Sequence, residues 1–380
     1  MQVAGIIAEY NPFHNGHLYQ IKQVKRALPN VPLVIAMSGN FLQRGEPACL
    51  DKWTRANQAL QNGADVVVEL PVAACVQPAD RFARSGVRSL AALGVTDLFF
   101  GAEHAEYDFM TYAKLVKEAH GDFKKYDESY AASFQRAITT KIGHEVSQPN
   151  DLLGLAYAKA NLAFDSPLTF HPIQRKQAGY HEVTLGKGTI ASASAIRKNY
   201  TQGEDKLAQY IPAQTFNDLR QKELLSWDDF FPYLKYKLLS SSVAELQTIY
   251  GMAEGIEYRL KDQMERLTDQ ADFETWLKAV KTKRFTYTRL SRLACAILLE
   301  MKTAEVLAYE KVPYLRLLGF TPTGQNILNK AKKSNPHPLV TKVSQDDKNN
   351  FFALDYRAGK IYQLKNKTEQ DLKRAPIRIS

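Results

Sequence analysis

Two histidines near the start of the chain, His14 and His17, have the type and spacing to hold an anion. They follow an apolar run at residues 3–8 and a turn at Asn11-Pro12, and they open a helical pattern. The free N–H groups and the positive end of the macrodipole at a helix start attract anions, and two imidazoles three residues apart can both face one. We therefore expect a nucleoside triphosphate to bind at this turn.

Pairs of histidines also occur in zinc sites and as ordinary structural residues. A zinc-binding pair usually lies at i and i+4 inside a helix with a third ligand nearby, and single histidines often cap or pack a helix. Gly16, between the two, has no side chain, so a ribose or a flat ring could approach the backbone closely. The apolar strand and the turn that precede the pair favour the nucleotide site.

A second candidate for phosphate binding lies at residues 190–197, with the sequence IASASAIR. Ser192 and Ser194 offer a helix cap and hydroxyl donors, and Arg197 lies one turn into the helix that they open. Hydroxyls, a helix start and a guanidinium together suit the β- and γ-phosphates that leave as pyrophosphate. In isolation, a serine-rich segment of this kind is more often only a cap. Residues 186–188 in front of it predict a mobile loop.

Strand-like and helix-like segments alternate through the first half of the chain and must position these candidates. The predicted strands are residues 3–8, 32–37, 65–70, 97–100 and 168–175, and the predicted helices include 81–93, 109–119 and 130–141. This alternation predicts an α/β fold with a doubly wound parallel sheet. Ligands bind beyond the carboxyl ends of the strands in such sheets, so the polar segments there should share one crevice. These are residues 11–17, 38–40 and 101–103, together with Arg175.

The second half of the chain has a different character. Residues 204–310 hold long amphipathic stretches with few strand signals, which predict a helical domain. A small mixed α/β end follows, with strand-like pieces at residues 339–343 and 351–356. We therefore divide the chain into a nucleotide-binding catalytic domain, residues 1–202, and a basic, mainly helical C-terminal region, residues 203–380.

Composition restricts the class of protein. A length of 380 residues with 45% hydrophobic and 24% charged residues is typical of a globular protein with two or three domains. The N-terminal apolar run is interrupted at Glu9 and Asn11, which argues against a signal peptide, and no segment reaches the roughly 18 apolar residues of a membrane span. Cys49, Cys75 and Cys295 are far apart, which indicates reduced thiols. We expect a cytoplasmic protein with no membrane partner.

The excess positive charge lies near the C-terminus, where residues 281–380 carry 20 Lys and Arg against 8 Asp and Glu. A polyanion such as RNA would suit this surface, and a solvated surface or a disordered tail is the alternative. Residues 281–292, the basic segment, also carry Phe285 and Tyr287, so they could neutralise phosphates and stack bases. The alternative is a helix start with both rings in the core. The candidate RNA-binding residues are Lys281, Lys283, Arg284, Arg289 and Arg292.

The motifs together resemble a known family. HNGH at residues 14–17 is similar to the HxGH signature of the nucleotidyltransferase and class I aminoacyl-tRNA synthetase superfamily, and residues 192–197 are similar to its SSTxIR motif. With MSGNFLQRGEPACLDKWTR at residues 37–55 and TKRFTYTRLSRLACAILL at residues 282–299, the whole chain resembles the tRNA(Met) cytidine acetate ligases. The resemblance implies that ATP activates acetate as acetyl-AMP, with release of pyrophosphate. It further implies acetyl transfer to N4 of the wobble cytidine in elongator tRNA(Met), which forms N4-acetylcytidine.

The resemblance also implies which residues contact ATP. They are Ile7, Ala8, Glu9, Tyr10, Asn11, Pro12, Phe13, His14, Asn15, Gly16, His17, Leu18, Tyr19, Gln20, Gly101, Asn150 and Arg175. Asp151 could take the place of Asn150, because the two are adjacent. Acetate is already a carboxylate at pH 7, so its attack on the α-phosphorus needs in-line positioning and charge neutralisation, not a general base. His14, His17 and Arg197 could neutralise that charge, with Mg2+ bound mainly by the phosphates.

The loop after the second predicted strand could line the acetate and cytidine side of the crevice, because it leaves the sheet beside the histidines. Its candidates are Asn40, Arg44, Glu46 and Lys52. We take Asn40 and Lys52, with the two histidines, as candidate catalytic residues. The alternative is that these side chains only brace the loop.

Two other functions fit part of the pattern. A small-molecule adenylyltransferase of the pantetheine-phosphate or nicotinate-mononucleotide type would retain AMP in its product, but such chemistry does not explain a long basic helical region. A non-catalytic RNA-binding protein with a vestigial nucleotide fold is the other possibility. The intact His14, His17, Ser192 and Arg197 argue against it.

Overall fold

The computed structural model describes residues 1–117, 139–165, 168–176, 188–200, 207–334 and 337–379. Within these residues, eight strands form one sheet. They are β1 (Ala4–Ala8), β2 (Leu33–Ser38), β3 (Val66–Leu70), β4 (Asp97–Ala102), β5 (Thr169–Gln174), β6 (Leu315–Phe320), β7 (Leu339–Val340) and β8 (Ile377–Arg378). Their order across the sheet is β5-β4-β1-β2-β3-β6-β7, and β8 also pairs with β6.

Helices flank the sheet and form a separate layer beyond it. Those of the first two hundred residues are α1 (Asn15–Ala27), α2 (Lys52–Gln61), α3 (Val72–Cys75), α4 (Ala79–Ala92), α5 (Phe109–Lys117), α6 (Pro149–Ala163) and α7 (Ala193–Tyr200). Those that follow are α8 (Ala213–Gln221), α9 (Trp227–Ser240), α10 (Val243–Gln247), α11 (Ile256–Glu265), α12 (Phe273–Val280), α13 (Tyr287–Leu298), α14 (Thr303–Lys311), α15 (Pro322–Ser334) and α16 (Ala353–Asn366). None of these described helices combines the length and apolar character needed to cross a membrane.

Strands β1 to β5 run parallel, and helices cover both faces of this part of the sheet. On one face, α1 and α2 pack through side chains that include Ile21, Val24 and Ala56. On the other, α4 and α5 pack through side chains that include Phe82 and Phe109. Because both faces are covered, the strands are buried, which explains apolar sequences such as LVIAMS in β2. The predicted doubly wound α/β fold is confirmed.

The C-terminal residues extend the same sheet, which the sequence did not predict. β6 pairs with β3 in antiparallel orientation, and β7 and β8 each run parallel to β6. β6 is buried along its whole length. The boundary between residues 202 and 203 stays a prediction, but the region beyond it is not a detached appendage, because it supplies three strands to the sheet.

The structure corrects two smaller predictions in the C-terminal region. The sequence predicts an extended segment at residues 351–356, but residues 353–356 form the first turn of α16, and Phe352, its N-cap residue, packs in the core. Of residues 339–343, only Leu339–Val340 form a strand. The helix predicted over residues 130–141 lies mostly outside the described residues.

Helices α9 to α14 form a layer with its own apolar core, which contains Phe230, Trp276 and Leu290. The same core includes Phe41, from the loop after β2, and Val72 of α3. The predicted helical region is therefore present, and its core is continuous with residues that leave the carboxyl ends of β2 and β3.

Candidate active site

The histidine turn, residues 9–17, joins the carboxyl end of β1 to the start of α1. Tyr10 has a φ of 53°, and the Asn11–Pro12 peptide bond is cis. The buried rings of Tyr10 and Phe13 anchor the turn in the apolar core. His14 caps α1, whose first turn carries no acidic residue. The positive end of this helix is therefore not neutralised by its own sequence.

The two histidine side chains are held by backbone hydrogen bonds. The N–H of Gly16 donates to Nδ1 of His14 (3.0 Å), and the N–H of His14 donates to Nδ1 of His17 (3.2 Å). The two rings stack with centroids 3.7 Å apart. Because each Nδ1 atom accepts a hydrogen bond, each neutral ring carries its proton on Nε2. Both Nε2–H groups are thus oriented donors.

Both imidazoles are neutral at physiological pH. Burial, with a further contribution from Arg175 and Arg197, lowers the pKa of His14 from 6.5 to about 3. Burial also holds the pKa of His17 well below 6.5, and the neighbouring His14 ring and the charge of Arg175 add to this effect. The pair therefore acts on an anion as hydrogen-bond donors, and the two arginines supply the positive charge.

Gly16 has a more direct role than the sequence suggested. A Cβ at this position would lie 2.8 Å from Cε1 and 2.9 Å from Nδ1 of His14. Real Cβ atoms do not approach other atoms this closely, so any side chain here would displace the imidazole. Glycine is needed to keep the His14 ring in place as well as to leave room for a ligand.

Arg197 lies beside the histidine turn although it is far away in sequence. Its Nη1 donates to the carbonyl of Asn11 (2.7 Å), and its Nη2 lies 3.6 Å from Oε2 of Glu46. Ser192 caps α7 by accepting a hydrogen bond from the N–H of Ala195 (3.1 Å). The structure therefore brings the two phosphate motifs together. Ser194 is exposed, and residues 186 and 187 of the predicted loop lie outside the described residues.

Gly101 and Arg175 lie at the carboxyl ends of the neighbouring strands β4 and β5. A Cβ on Gly101 would lie 3.4 Å from Cγ of Arg175, and the N–H of Arg175 donates to the carbonyl of Ala102 (3.0 Å). Nε of Arg175 lies 3.7 Å from Glu103. These contacts hold the guanidinium of Arg175 close enough to lower the pKa of both histidines.

Asn150 and Asp151 both contact the segment that follows β4. The Glu103 carboxylate accepts hydrogen bonds from the backbone and side chain of Asn150. The Asp151 carboxylate accepts from the N–H groups of Glu103 (2.9 Å) and His104 (3.1 Å). Both residues therefore fix the segment that follows β4 beside Gly101.

The remaining residues of the implied ATP site surround the turn. Ile7 and Ala8 end β1, and Leu18, Tyr19 and Gln20 lie in α1. The side chain of Asn15 donates to the carbonyls of Thr189 (2.9 Å) and Gln209 (2.8 Å). These two bonds fasten the start of α1 to the segments before and after α7.

Asn40 and Lys52 face a different part of the molecule from the histidines. Nζ of Lys52, with its side chain 1% exposed, lies 2.7 Å from Glu69 and 2.6 Å from Asp371. Burial lowers the pKa of Lys52, but the two carboxylates outweigh it and the net shift is upward. The side chain of Asn40 accepts from the N–H of Lys52 (2.8 Å) and donates to Gln370 (3.0 Å). These contacts favour the alternative, a brace under the loop.

Arg55 is a buried residue that the sequence patterns did not single out. Its guanidinium donates to the carbonyls of Glu9 (2.6 Å), Ser38 (3.0 Å) and Gly39, and so ties together the carboxyl ends of β1 and β2. The available signal was a charged residue on the buried face of an amphipathic helix, one turn after Lys52.

Residues 41–47, the 41–47 loop, close over the histidine turn. Phe41 and Pro47 form a bridge at the base of the loop. The Glu9 carboxylate accepts a hydrogen bond from the N–H of Gln43 (2.7 Å), and burial raises the pKa of Glu9. Together with the contact between Glu46 and Arg197, this bond holds the loop that carries Arg44 and Glu46 beside the phosphate motifs.

The basic segment is partly engaged within the protein. Lys281 and Lys283 are exposed, whereas Nε of Arg284 lies 2.7 Å from Glu254. Phe285 is buried, and the hydroxyl of Tyr287 donates to Glu274 (2.7 Å). The two aromatic residues therefore follow the alternative, a helix start packed on the core, and are not free to stack on bases.

Comparison with known proteins agrees with this geometry. The family model described as HIGH Nucleotidyl Transferase matches residues 1–375. A tRNA(Met) cytidine acetate ligase of Ligilactobacillus salivarius is 58% identical over 380 residues, which cover 99% of this chain and 100% of that protein. A protein of the same name from Lactiplantibacillus plantarum is 44% identical over 381 residues, which cover 100% and 99%.

Solved structures lead to the same group. The crystal structure of apo Thermotoga maritima TmcAL, form I, has a TM-score of 0.90 and 28% identity, and the match covers 100% of both chains. The form II structure of that protein, bound with alpha-thio ATP, has a TM-score of 0.87 and 28% identity over 100% and 99% of the chains. The chain therefore belongs to the HIGH nucleotidyl transferase family, in the group of the tRNA(Met) cytidine acetate ligases.

Proposed function

We propose that this protein is a tRNA(Met) cytidine acetate ligase. It activates acetate with ATP as acetyl-AMP, releases pyrophosphate, and transfers the acetyl group to N4 of the wobble cytidine in elongator tRNA(Met). Relatives of this name match the chain over nearly its whole length, and a structurally similar chain binds alpha-thio ATP. The observation that carries the proposal is the pair of oriented, neutral imidazoles at the start of α1.

In the first half-reaction, an acetate oxygen attacks the α-phosphorus of ATP and pyrophosphate leaves. The negative charge on the phosphoryl oxygens is then bound by the Nε2–H groups of His14 and His17 and by the helix start. Arg197 and Arg175 supply positive charge, since both act on His14. Gly101 and the backbone of residues 7–20 complete the proposed ATP site, with Ser192 and Ser194 on the pyrophosphate side.

In the second half-reaction, N4 of cytidine attacks the acetyl carbonyl, AMP leaves, and the nitrogen loses a proton. The exocyclic amine of cytosine is a poor nucleophile, which is why an acyl adenylate is required. The base must leave the anticodon stack to reach the crevice, at a cost of a few kcal/mol. Contacts between the RNA and the basic C-terminal region would offset that cost.

Mg2+ is the metal that we propose to accompany ATP. Among the residues that the structure describes, no group of three or more His, Cys, Asp or Glu side chains could hold a metal ion. The described residues therefore do not form a cage for Mg2+, and the ion would be bound mainly by the phosphates. Since the proposed substrate is tRNA, we place the protein in the cytoplasm.

The proposal is tested by incubating the protein with ATP, labelled acetate and bulk tRNA. Label in the RNA that depends on ATP, and that maps to N4 of the wobble cytidine of elongator tRNA(Met), is the expected result. AMP retained on a small product would instead indicate a small-molecule adenylyltransferase. Absence of ATP turnover with every substrate would indicate a non-catalytic RNA-binding protein.

A further inference from the structure

The 41–47 loop, which contacts the histidine turn on one side, contacts the start of α13 on the other. Oγ of Ser291 donates to the carbonyl of Gly45 (3.3 Å). Gly45 has a φ of 79°, and a Cβ there would lie 2.5 Å from the Cα and backbone N of Arg292. The two backbones are in close contact, so the first turns of α13 lie one loop away from the proposed phosphate-binding residues.

Arg292 is a half-buried cation in a positively charged neighbourhood. Burial, together with the guanidiniums of Arg44 and Arg289, lowers its pKa to about 10, and Tyr250 and Asp80 offset part of this shift. Among the residues that the structure describes, no carboxylate pairs with Arg292 and no hydrogen-bond acceptor contacts its guanidinium. The guanidinium is therefore available to an anion from outside the chain.

The stability of α13 does not explain why Arg292, Arg289 and Arg44 lie close together; we call these three residues the arginine cluster. Arg289 lies in the first turn of α13, which contains no acidic residue, and a cation near a helix N-terminus is unfavourable. The Arg289 guanidinium lies 4.5 Å from the ring centroid of Phe285, which orients it. Like charges also repel one another in a half-buried region. Departures of this kind from local preferences are typical of functional sites.

We propose that Arg292, Arg289 and Arg44 bind a backbone phosphate of the substrate RNA next to the nucleotide that enters the crevice. This inference rests on the proposed function and assigns part of its RNA site. A phosphodiester is an anion whose oxygens match the planar guanidinium with two parallel hydrogen bonds. Because the 41–47 loop joins the cluster to the histidine turn, a phosphate held here fixes the strand where the target base leaves its stack.

The test compares binding and acetylation of transcribed elongator tRNA(Met) by Arg292→Gln and Arg289→Gln variants. Each variant should raise the Kd and the KM for tRNA about tenfold or more. The slope of log Kd against log salt should also decrease by about 1, because one phosphate contact is lost. Arg292→Lys keeps the charge but not the paired hydrogen bonds, so it should recover only part of the affinity.

Arg266→Gln is the matched control, because it removes the same charge from the same helical layer. Arg266 is exposed and pairs with Asp262 on its own helix (2.6 Å), so its loss should change the Kd for tRNA less than about twofold. The thermal midpoint of unfolding and the Kd for alpha-thio ATP show whether each variant is folded.

A wild-type Kd and salt slope for Arg292→Gln would overturn the inference, and so would an equal effect from Arg266→Gln. A wild-type protein that does not bind tRNA at all would overturn it as well. Failure of the proposed function has a different signature. The wild-type protein would then bind tRNA without acetylating it, and the Kd values of the variants would still decide the role of the cluster.

Discussion

Two backbone hydrogen bonds decide what the histidines can do. They occupy Nδ1 of His14 and of His17, so each ring presents an N–H at Nε2 in one orientation. Donors that are oriented before the phosphate arrives need no reorganisation during the reaction, and this is a large source of transition-state stabilisation. A permanent positive charge on the rings is not required, because Arg175 and Arg197 lie nearby.

The first prediction concerns the loss of one such donor. His14→Ala should lower the rate of acetate-dependent exchange between ATP and pyrophosphate about 100- to 1000-fold, as is typical when one oriented donor to a developing oxyanion is removed. The Kd for alpha-thio ATP should change much less, because the ground-state contacts of the nucleotide are spread over the whole turn. An exchange rate close to that of the wild-type protein would contradict the proposed role of His14.

The second prediction concerns acid stability. The pKa of His14 is about 3 in the folded protein and 6.5 in the unfolded chain, so the unfolded chain binds more protons as the solution becomes acidic. The free energy of unfolding should therefore decrease as the pH falls from about 6.5 towards 3. His14→Gln cannot take up this proton and should flatten the decrease, as measured by urea unfolding at several pH values. The same pH dependence in both proteins would contradict the lowered pKa.

At the scale of elements, the start of α2 is fixed by the C-terminal segment. Lys52 pairs with Glu69 at the carboxyl end of β3 and with Asp371, and both carboxylates are almost fully buried. Asn40 and Trp53 add hydrogen bonds to Gln370, the residue before Asp371. Gln370 and Asp371, near the C-terminus, therefore hold both the loop after β2 and the start of α2 in place.

The third prediction separates a brace from a catalytic group. Lys52→Met leaves buried carboxylates without their cation, so it should lower the free energy of unfolding by about 3–5 kcal/mol. Lys25→Met is the matched control. Lys25 pairs with Asp65 near the surface (3.2 Å), and its loss should cost about 1 kcal/mol or less. If Lys52→Met unfolded like the wild-type protein but lost acetate-dependent exchange, Lys52 would belong to the chemistry instead.

The elements that sequence patterns predicted best are those whose signals are local. The five parallel strands have apolar runs. The histidine turn has a short sequence motif, and Arg197, which contacts it, belongs to a second one. The position of Asn40 and Lys52 depended on partners more than 300 residues away, namely Gln370 and Asp371, which no local pattern connects to them. The pairing of β6 with β3 was also not predicted, because the two strands are far apart in the sequence.

At the scale of the whole molecule, one sheet unites both halves of the chain. β6 covers the edge of β3, and Leu318 of β6 packs in the same apolar cluster as Val67 of β3. Without β6, a central strand would become an exposed apolar edge, which is a site for aggregation. The nucleotide-binding part of the fold thus depends on residues beyond position 202.

The fourth prediction follows from this shared sheet. A fragment of residues 1–202 should not fold into a stable domain, and it should bind alpha-thio ATP at least about tenfold more weakly than the full chain or aggregate. Circular dichroism, thermal unfolding and nucleotide binding of the fragment measure this. A folded fragment that unfolds cooperatively and binds the nucleotide normally would establish residues 1–202 as an independent domain.

The path of the C-terminal segment has a consequence for synthesis of the protein. The ribosome makes Asn40 and Lys52 more than 300 residues before their partners Gln370 and Asp371. A growing chain that already contains both histidines and Arg197 therefore still lacks the residues that hold the loop after β2 in place. We therefore expect the growing chain to become catalytically competent only after this segment has been made, so that it does not consume ATP during synthesis.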